Sequence, residues 1–384
     1  MKIAYVSTLR SSSWGGSEEL WYQSAEEAIK RNFEIGVFVY EWPEEPSKLS
    51  RLRNKGAFIH KRKRTHSLLR RIVEKIAVGI SGKSPYRFNP YKDLVTFKPD
   101  IVVVTDGSTY YTANDAGLSY VLLHYFKGKY TIISQANTDY HLPSDRKHAI
   151  HLFENALRVF FVSENNRKLA DHQLAHRLTR AELIQNPILL DHFEIQPYPA
   201  VNGTIHCAVV GRFCISDKGQ DILISMFGED GWKAADIKLH LYGKGEDQEY
   251  LEQLIAYYGA GDKVTIEGFS ENKNEIWDKC HCLLMCSHSE GTPLTLLEAM
   301  VAGRVCIVTR VGGNEEWIED GENGFLVDAP TGRLFGGKLK EALERVGEWE
   351  RIGKAAHDHA RGKMESNPGK MLVEKIMSAR AGSR

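Results

Sequence analysis

The chain reads as an α/β protein of two parallel-sheet domains. Short apolar runs alternate with amphipathic stretches, a Gln-Pro-Tyr-Pro-Ala-Val-Asn-Gly-Thr segment over 196–204 interrupts them, and the same alternation then begins again. At 384 residues the chain is too long for one ordinary core and comfortable for two. The expected division is 1–198 and 199–384, two Rossmann-like domains facing across a cleft. The last helical stretch, Gly369 to Ala379, is a candidate to pack back on the first domain.

The opening predicts strand, loop, helix. Ile3-Ala4-Tyr5-Val6 is a run suited to a strand buried on both faces, Ser11 to Ser17 holds a Gly15-Gly16 pair, and Glu18 to Lys30 has Leu20, Ala25 and Ala28 at helical spacing. Further strands are predicted at 35–40, 101–104, 130–134 and 158–163. After the interruption, strands are predicted at 205–210, 237–242, 264–266, 282–286 and 304–309, and helices at 219–227, 247–258 and 293–302, the last closed by Gly303. In such sheets ligands sit beyond the carboxyl ends of the strands.

Gly211-Arg212 follows one strand directly, and Asp217-Lys218-Gly219 comes at the next helix start. A guanidinium fork, an ammonium and free helix N–H groups together suit a diphosphate. Glu290 falls in the loop before Pro293, and Glu298 lies on the helix that Pro293 opens. Carboxylates at two levels suit vicinal hydroxyls, while the N–H groups from Thr292 to Thr295 suit phosphate oxygens. Leu294, Leu296, Leu297 and Met300 bury most of that helix, so an unpaired Glu298 would be costly and calls for a ligand or partner.

These residues resemble glycosyltransferase family 4, enzymes of GT-B fold. The Glu-x7-Glu spacing matches Glu290 and Glu298, and the Gly-Arg and Lys-Gly pair matches Gly211-Arg212 and Lys218-Gly219. Leu239 to Gly245, Ile266 to Phe269, Gly312 to Glu315, Gly321 to Val327, Gly15-Gly16, Val162-Ser163 and Asn186-Pro187 match in order. The resemblance implies a retaining, metal-independent transfer from a nucleotide-sugar donor, UDP- or GDP-linked, to an acceptor hydroxyl. Arg212 and Lys218 would hold the diphosphate, Glu298 the ribose and Glu290 the sugar, with Thr292, Pro293, Leu294 and Thr295 lining the helix mouth. Gly268 would stand near the base, and Gly16 would let a loop approach the donor. The family often carries a histidine after the strand matching 130–134. Here Asn137 stands nearest that position, with Asp139 and His141 just beyond, and these are the sugar or acceptor candidates; His141 as a plain loop histidine stays open.

No cofactor is expected. The chain has no Asp-x-Asp pair for a magnesium ion, and Cys280, His281, Cys282, Cys286 and His288 read as core fillers beside a strand rather than a zinc site. Lys+Arg and Asp+Glu number 50 each, but residues 1–200 carry 28 basic and 21 acidic side chains. That +7 fits an anionic partner, such as a phosphorylated acceptor or a membrane surface, and equally a merely solvated charged face. Residues 51–75 hold ten Lys/Arg and one acid, followed by apolar residues at helical spacing from Leu68 to Ala77. Over 51–80 this fits either peripheral contact with an anionic membrane or a core helix with a solvated basic side. Nucleic acid is not an expected partner. An opening without a secretion signal and six cysteines without a disulfide framework suggest a cytoplasmic protein, at most peripheral at the inner membrane face. The rival readings are a GT-B sugar-nucleotide epimerase and a non-catalytic sugar-nucleotide binder.

Overall fold

The computed structural model describes residues 1–10, 12–63, 90–138, 142–188, 190 and 193–382. Two all-parallel sheets organise them. The first contains β1 (Lys2–Ser7), β2 (Glu34–Tyr40), β3 (Phe58–Arg62), β4 (Ile101–Asp106), β5 (Tyr130–Ser134), β6 (Arg158–Phe161) and β7 (Ala181–Leu183), in the order 3-2-1-4-5-6-7. The second contains β8 (Ile205–Val210), β9 (Ile237–Tyr242), β10 (Val264–Gly268), β11 (Cys282–Met285), β12 (Val305–Thr309) and β13 (Phe325–Val327), in the order 10-9-8-11-12-13. Each strand order is Rossmann-like, and in each the order reverses beside the first strand, between β1 and β4 and between β8 and β11.

Continuous apolar runs make the central strands because helices cover both faces. Along β1, Ile3 and Tyr5 join one buried cluster while Ala4 and Val6 join another. Along β8, Cys207 and Val209 face one cluster and Ala208 and Val210 the other. The strands absent from the sequence reading are β3, β7 and β13. Two are three residues long, and β3 and β7 carry charged and half-exposed positions, so none presents a long apolar run.

The chain divides into one unit of Met1–Pro187 with Glu365–Arg384 and a second of Ile188–Met364. The contact units thus divide at 187/188 where the sequence suggests 198/199, and residues 365–384 belong with the first unit. Arg304 holds the linker-like segment to the second unit. Its buried guanidinium donates to the carbonyls of Gln196 and Pro197, at 3.3 and 2.7 Å, and so ties the linker-like segment to the second sheet. Helix Pro368–Ala381, the stretch expected as a candidate to pack back on the first domain, lies along helix Glu19–Lys30. Gly369 permits this, since a Cβ there would stand 2.5 Å from that of Gln23.

The basic stretch begins as helix Ser47–Asn54 and continues into β3. Its apolar continuation from Leu68 lies outside the described residues. Among the described residues no helix is long and apolar enough to cross a membrane. Cys282 and Cys286 pack into one cluster of the second unit and Cys280 into another, and His281 accepts the His206 backbone N–H at 3.0 Å.

Candidate functional site

In the second unit, three loops meet where the strand order reverses. The loop after β8 carries Arg212, then a short turn Ile215–Lys218, then Gly219 at φ +60° before helix Gln220–Phe227. A Cβ on Gly219 would stand 2.2 Å from the carbonyl oxygen of Cys286, so this turn is pressed against the end of β11. The Asp217 carbonyl accepts from the backbone N–H groups of His288 and Ser289, at 2.9 and 3.3 Å. From the other side Gly312, also left-handed at φ +53°, approaches Glu290 so closely that a Cβ would lie 2.0 Å from its carbonyl oxygen. The neighbouring Gly313 donates to the Gly291 carbonyl at 2.6 Å.

This stitching fixes the charges. Lys218 Nζ lies 2.6 Å from Glu290 Oε1, which also accepts from Ser287 Oγ at 2.7 Å. The Lys218 stem runs beside Gly211, where a Cβ would be 4.0 Å from its Cε. Arg212 donates from Nη2 to Asp217 Oδ2 at 2.7 Å, with Glu246 a looser neighbour at 3.9 Å. Gln220 holds the Arg212 carbonyl at 2.8 Å. Each predicted cation thus already has a carboxylate, and an incoming anion competes with it. Asp217 and Ser287 escaped the sequence reading, although Asp217 is the direct neighbour of Lys218.

Helix Leu294–Val301 follows β11, with Pro293 extended at its cap. No side chain caps it and no acid stands in its first turn. Its N-terminus, beside Thr292, Pro293, Leu294 and Thr295, is a positive helix end. Glu298 sits within this helix at 3% exposure, and its Oε2 has no hydrogen-bond partner. Burial pushes its carboxyl up to about 7, opposed by the charge of Lys273, another residue the sequence reading missed. A buried carboxyl with an unpartnered oxygen on a mostly apolar helix has unused capacity to accept hydrogen bonds. Gly268 ends β10 at φ +81° with open space where a Cβ would go.

The remaining candidates lie in the first unit. Gly16 opens a single 3-10 turn, Gly16–Glu18, after β1. Asn137 is buried, donates to Gln173 Oε1 at 2.9 Å and accepts from the Thr138 N–H at 3.0 Å, so its amide is engaged within the unit. Asp139 and His141 lie outside the described residues.

Residues 194–359, within the second unit, match the model of the glycosyl transferases group 1 family. The chain is similar to the GtfA subunit of the UDP-N-acetylglucosamine–peptide N-acetylglucosaminyltransferase of Streptococcus gordonii, 27% identical over 50% of this chain and 39% of that protein. It is also similar to N-acetyl-alpha-D-glucosaminyl L-malate synthase of Bacillus anthracis, 38% identical over 24% of each. The matches thus span well under half the length of these curated relatives. The fold-level likeness reaches further. A glycosyltransferase structure from Rickettsia africae superposes with a TM-score of 0.72 at 15% identity, covering 99% of this chain and 98% of that one. The structure of Anabaena HepE in complex with UDP and glucose gives 0.71 at 16% identity, covering 99% and 100%. The two Rossmann-like units have the fold of GT-B glycosyltransferase structures.

Proposed function

We propose that this chain is a retaining glycosyltransferase of family 4. It moves a sugar from a nucleotide-diphosphate donor, UDP- or GDP-linked, to the hydroxyl of a glycan, lipid-linked or other glycoconjugate acceptor, without cofactor or metal. The observation that carries the reading is the Lys218–Glu290 pair at the switch point of the second sheet, followed by the uncapped helix Leu294–Val301. Charges and dipoles held in place by three interlocked loops are what a developing diphosphate leaving group requires.

In the reaction the bond from the sugar C1 to the diphosphate oxygen breaks. The bond from C1 to the acceptor oxygen forms on the same face, and the acceptor proton passes to the departing phosphate oxygen. Lys218 and Arg212 neutralise the charge growing on the phosphate, exchanging their present carboxylates for it. Glu290, released from Lys218, accepts from hydroxyls of the donor sugar. Glu298 takes the ribose hydroxyls with its unpartnered oxygen. Gly16 leaves room for the first loop to approach the donor, and Asn137, Asp139 and His141 belong to the sugar or acceptor side. The UDP-N-acetylglucosamine for which the Streptococcus gordonii relative is named and the UDP held by the Anabaena neighbour support a uridine donor. The protein works in the cytoplasm, at most peripheral to the inner membrane face.

The test is a thermal-shift panel of UDP, GDP, ADP and their sugar conjugates. A donor at about 100 times its dissociation constant adds about 2.7 kcal/mol of stability. Product analysis by NMR with the stabilising donor then reports the anomer. A panel in which no nucleotide stabilises the protein sinks the reading.

A further inference from the structure

The first unit has its own charge cluster at the carboxyl ends of its strands. Arg62 ends β3, Tyr40 ends β2, Arg10 lies three residues past β1, and Tyr111 and Asp115 follow β4. The guanidinium carbons of Arg62 and Arg10 lie 4.4 and 4.9 Å from the centroid of the Tyr40 ring, which both therefore share. Arg62 also lies over Tyr91, at 4.6 Å, and Arg10 over Tyr111, at 5.1 Å. Arg10 Nε donates to the Tyr40 hydroxyl at 2.8 Å.

The charges do not balance. Arg62 is 3% exposed, and its Nη2 donates to the carbonyls of Ser7 and Phe38. Among the described residues its Nε and Nη1 have no hydrogen-bond partner. A guanidinium cannot shed its proton, so this is a buried, permanent cation with two idle donor nitrogens. Asp115 is the cluster's carboxylate; it accepts from the Tyr91 hydroxyl at 2.8 Å and meets Arg10 at 3.5 Å. Glu41, directly after Tyr40, is exposed and donates its backbone N–H to the Arg62 carbonyl at 2.7 Å, and buried acids also lie at this end of the sheet. Asp106 ends β4, bonded by Thr8 and Thr112, and Glu18 follows the loop after β1; burial pushes both up to about 7, so neither is a full counter-charge near neutrality. Arg10 has a half-exposed side chain at the mouth of the cluster. The location, where the strand order reverses between β1 and β4, is where open α/β sheets take ligands.

We propose that this cluster is the acceptor subsite and that it selects an acceptor sugar bearing an anionic group, a carboxylate or a phosphate or sulfate ester. Arg10 meets the anion, Arg62 supplies the buried charge behind it, and the tyrosine rings offer stacking faces to the sugar. The anion site stands on the geometry alone; the word acceptor rests on the transferase reading.

The full chain is titrated by calorimetry, at low and moderate salt, with methyl glucuronide, glucose 6-phosphate and methyl glucoside. The acidic sugars bind about tenfold or more tightly than the neutral one, as charge-assisted hydrogen bonds require, and salt erodes the difference. Arg10→Gln abolishes the preference and Arg10→Lys keeps part of it, while the UDP thermal shift of both variants reports an intact second unit. Equal binding of acidic and neutral sugars overturns the proposal, as does a preference that survives Arg10→Gln. Vesicles of phosphatidylglycerol against phosphatidylcholine form the second arm. Charge-dependent vesicle binding that Arg10→Gln removes, with no preference among the sugars, overturns it in favour of a lipid headgroup. Acid-sugar preference in a protein that ignores every nucleotide sinks the donor reading and leaves this site standing.

Discussion

Replacing Glu298 by Gln isolates the cost of a carboxylate that lacks its ligand. The carboxyl is moved from 4.5 to about 7 by burial, which corresponds to about 3 kcal/mol against its ionised form at about 1.4 kcal/mol per tenfold. Below pH 4.5 the group is neutral whether the chain is folded or not, so nothing is lost. As pH rises from about 4.5 through about 7, the unfolded chain ionises first and the folded state loses stability, reaching the full penalty near pH 8. Glu298→Gln removes this dependence. Glu18 and Asp106, both also pushed up to about 7, slope the same way in the first unit, so the informative quantity is wild type minus variant. Urea unfolding at pH 5 and pH 8 should show the variant gaining about 2.5 kcal/mol relative to wild type across that interval, the rest of the penalty having been reached by pH 5. The same variant should bind UDP about tenfold more weakly, because an ionised acceptor of ribose hydroxyls becomes a neutral amide. If the two proteins change equally between pH 5 and pH 8, the carboxyl is not held neutral by burial and the reasoning fails.

Lys218→Ala leaves the buried Glu290 with the Ser287 hydroxyl and without its cation; it should cost about 1–3 kcal/mol in the empty protein and abolish the UDP thermal shift. Gly312→Val forces a β-branched residue into the left-handed region and into the Glu290 carbonyl; a drop of at least about 2 kcal/mol is expected in urea melts, and an unchanged midpoint would contradict the packing of the loops. Across β8, β9 and β10, His206 Nδ1 meets His240 Nε2 at 2.8 Å and His240 Nδ1 meets Glu267 at 2.8 Å. Burial, then the neighbouring histidines, hold His206 below its ordinary value, so its stabilising contribution is present above about pH 6.5 and is lost on acidification through the folded value. His206→Gln should therefore lose less stability between pH 7 and pH 5 than wild type, measured in the same melts.

The legible parts of the chain were those where one physical cause acts locally. Ile205–Val210 and Ile101–Val104 announce buried parallel strands because both faces need apolar residues, and Pro293 announces a helix start because its fixed φ suits the first turn. Arg212, Lys218, Glu290 and Glu298 stood out by spacing and residue type. Their pairing did not, since Lys218 meets Glu290 only through close approaches that depend on Gly219 and Gly312. Nor did the Arg62 cluster, whose members come from the ends of four strands and carry no common motif. The tie between residues 196–197 and the second sheet was not legible either, because a Pro- and Gly-containing segment looks like a linker in composition, while the guanidinium that anchors it lies 107 residues away.

Helix Pro368–Ala381 gives the chain a particular order of assembly. It completes the apolar cluster that includes Leu20, Trp21 and Ala25, yet it is synthesised after the whole of the second unit. The first unit therefore emerges from the ribosome early but must wait with that face uncovered, whereas the second has all its strands in one continuous stretch and is able to close as it is made. Biosynthesis and thermodynamic dependence then run in opposite directions: the segment made first is finished last, and a nascent chain stalled between residues 188 and 364 presents a sticky, incomplete N-terminal body to whatever chaperone is at hand.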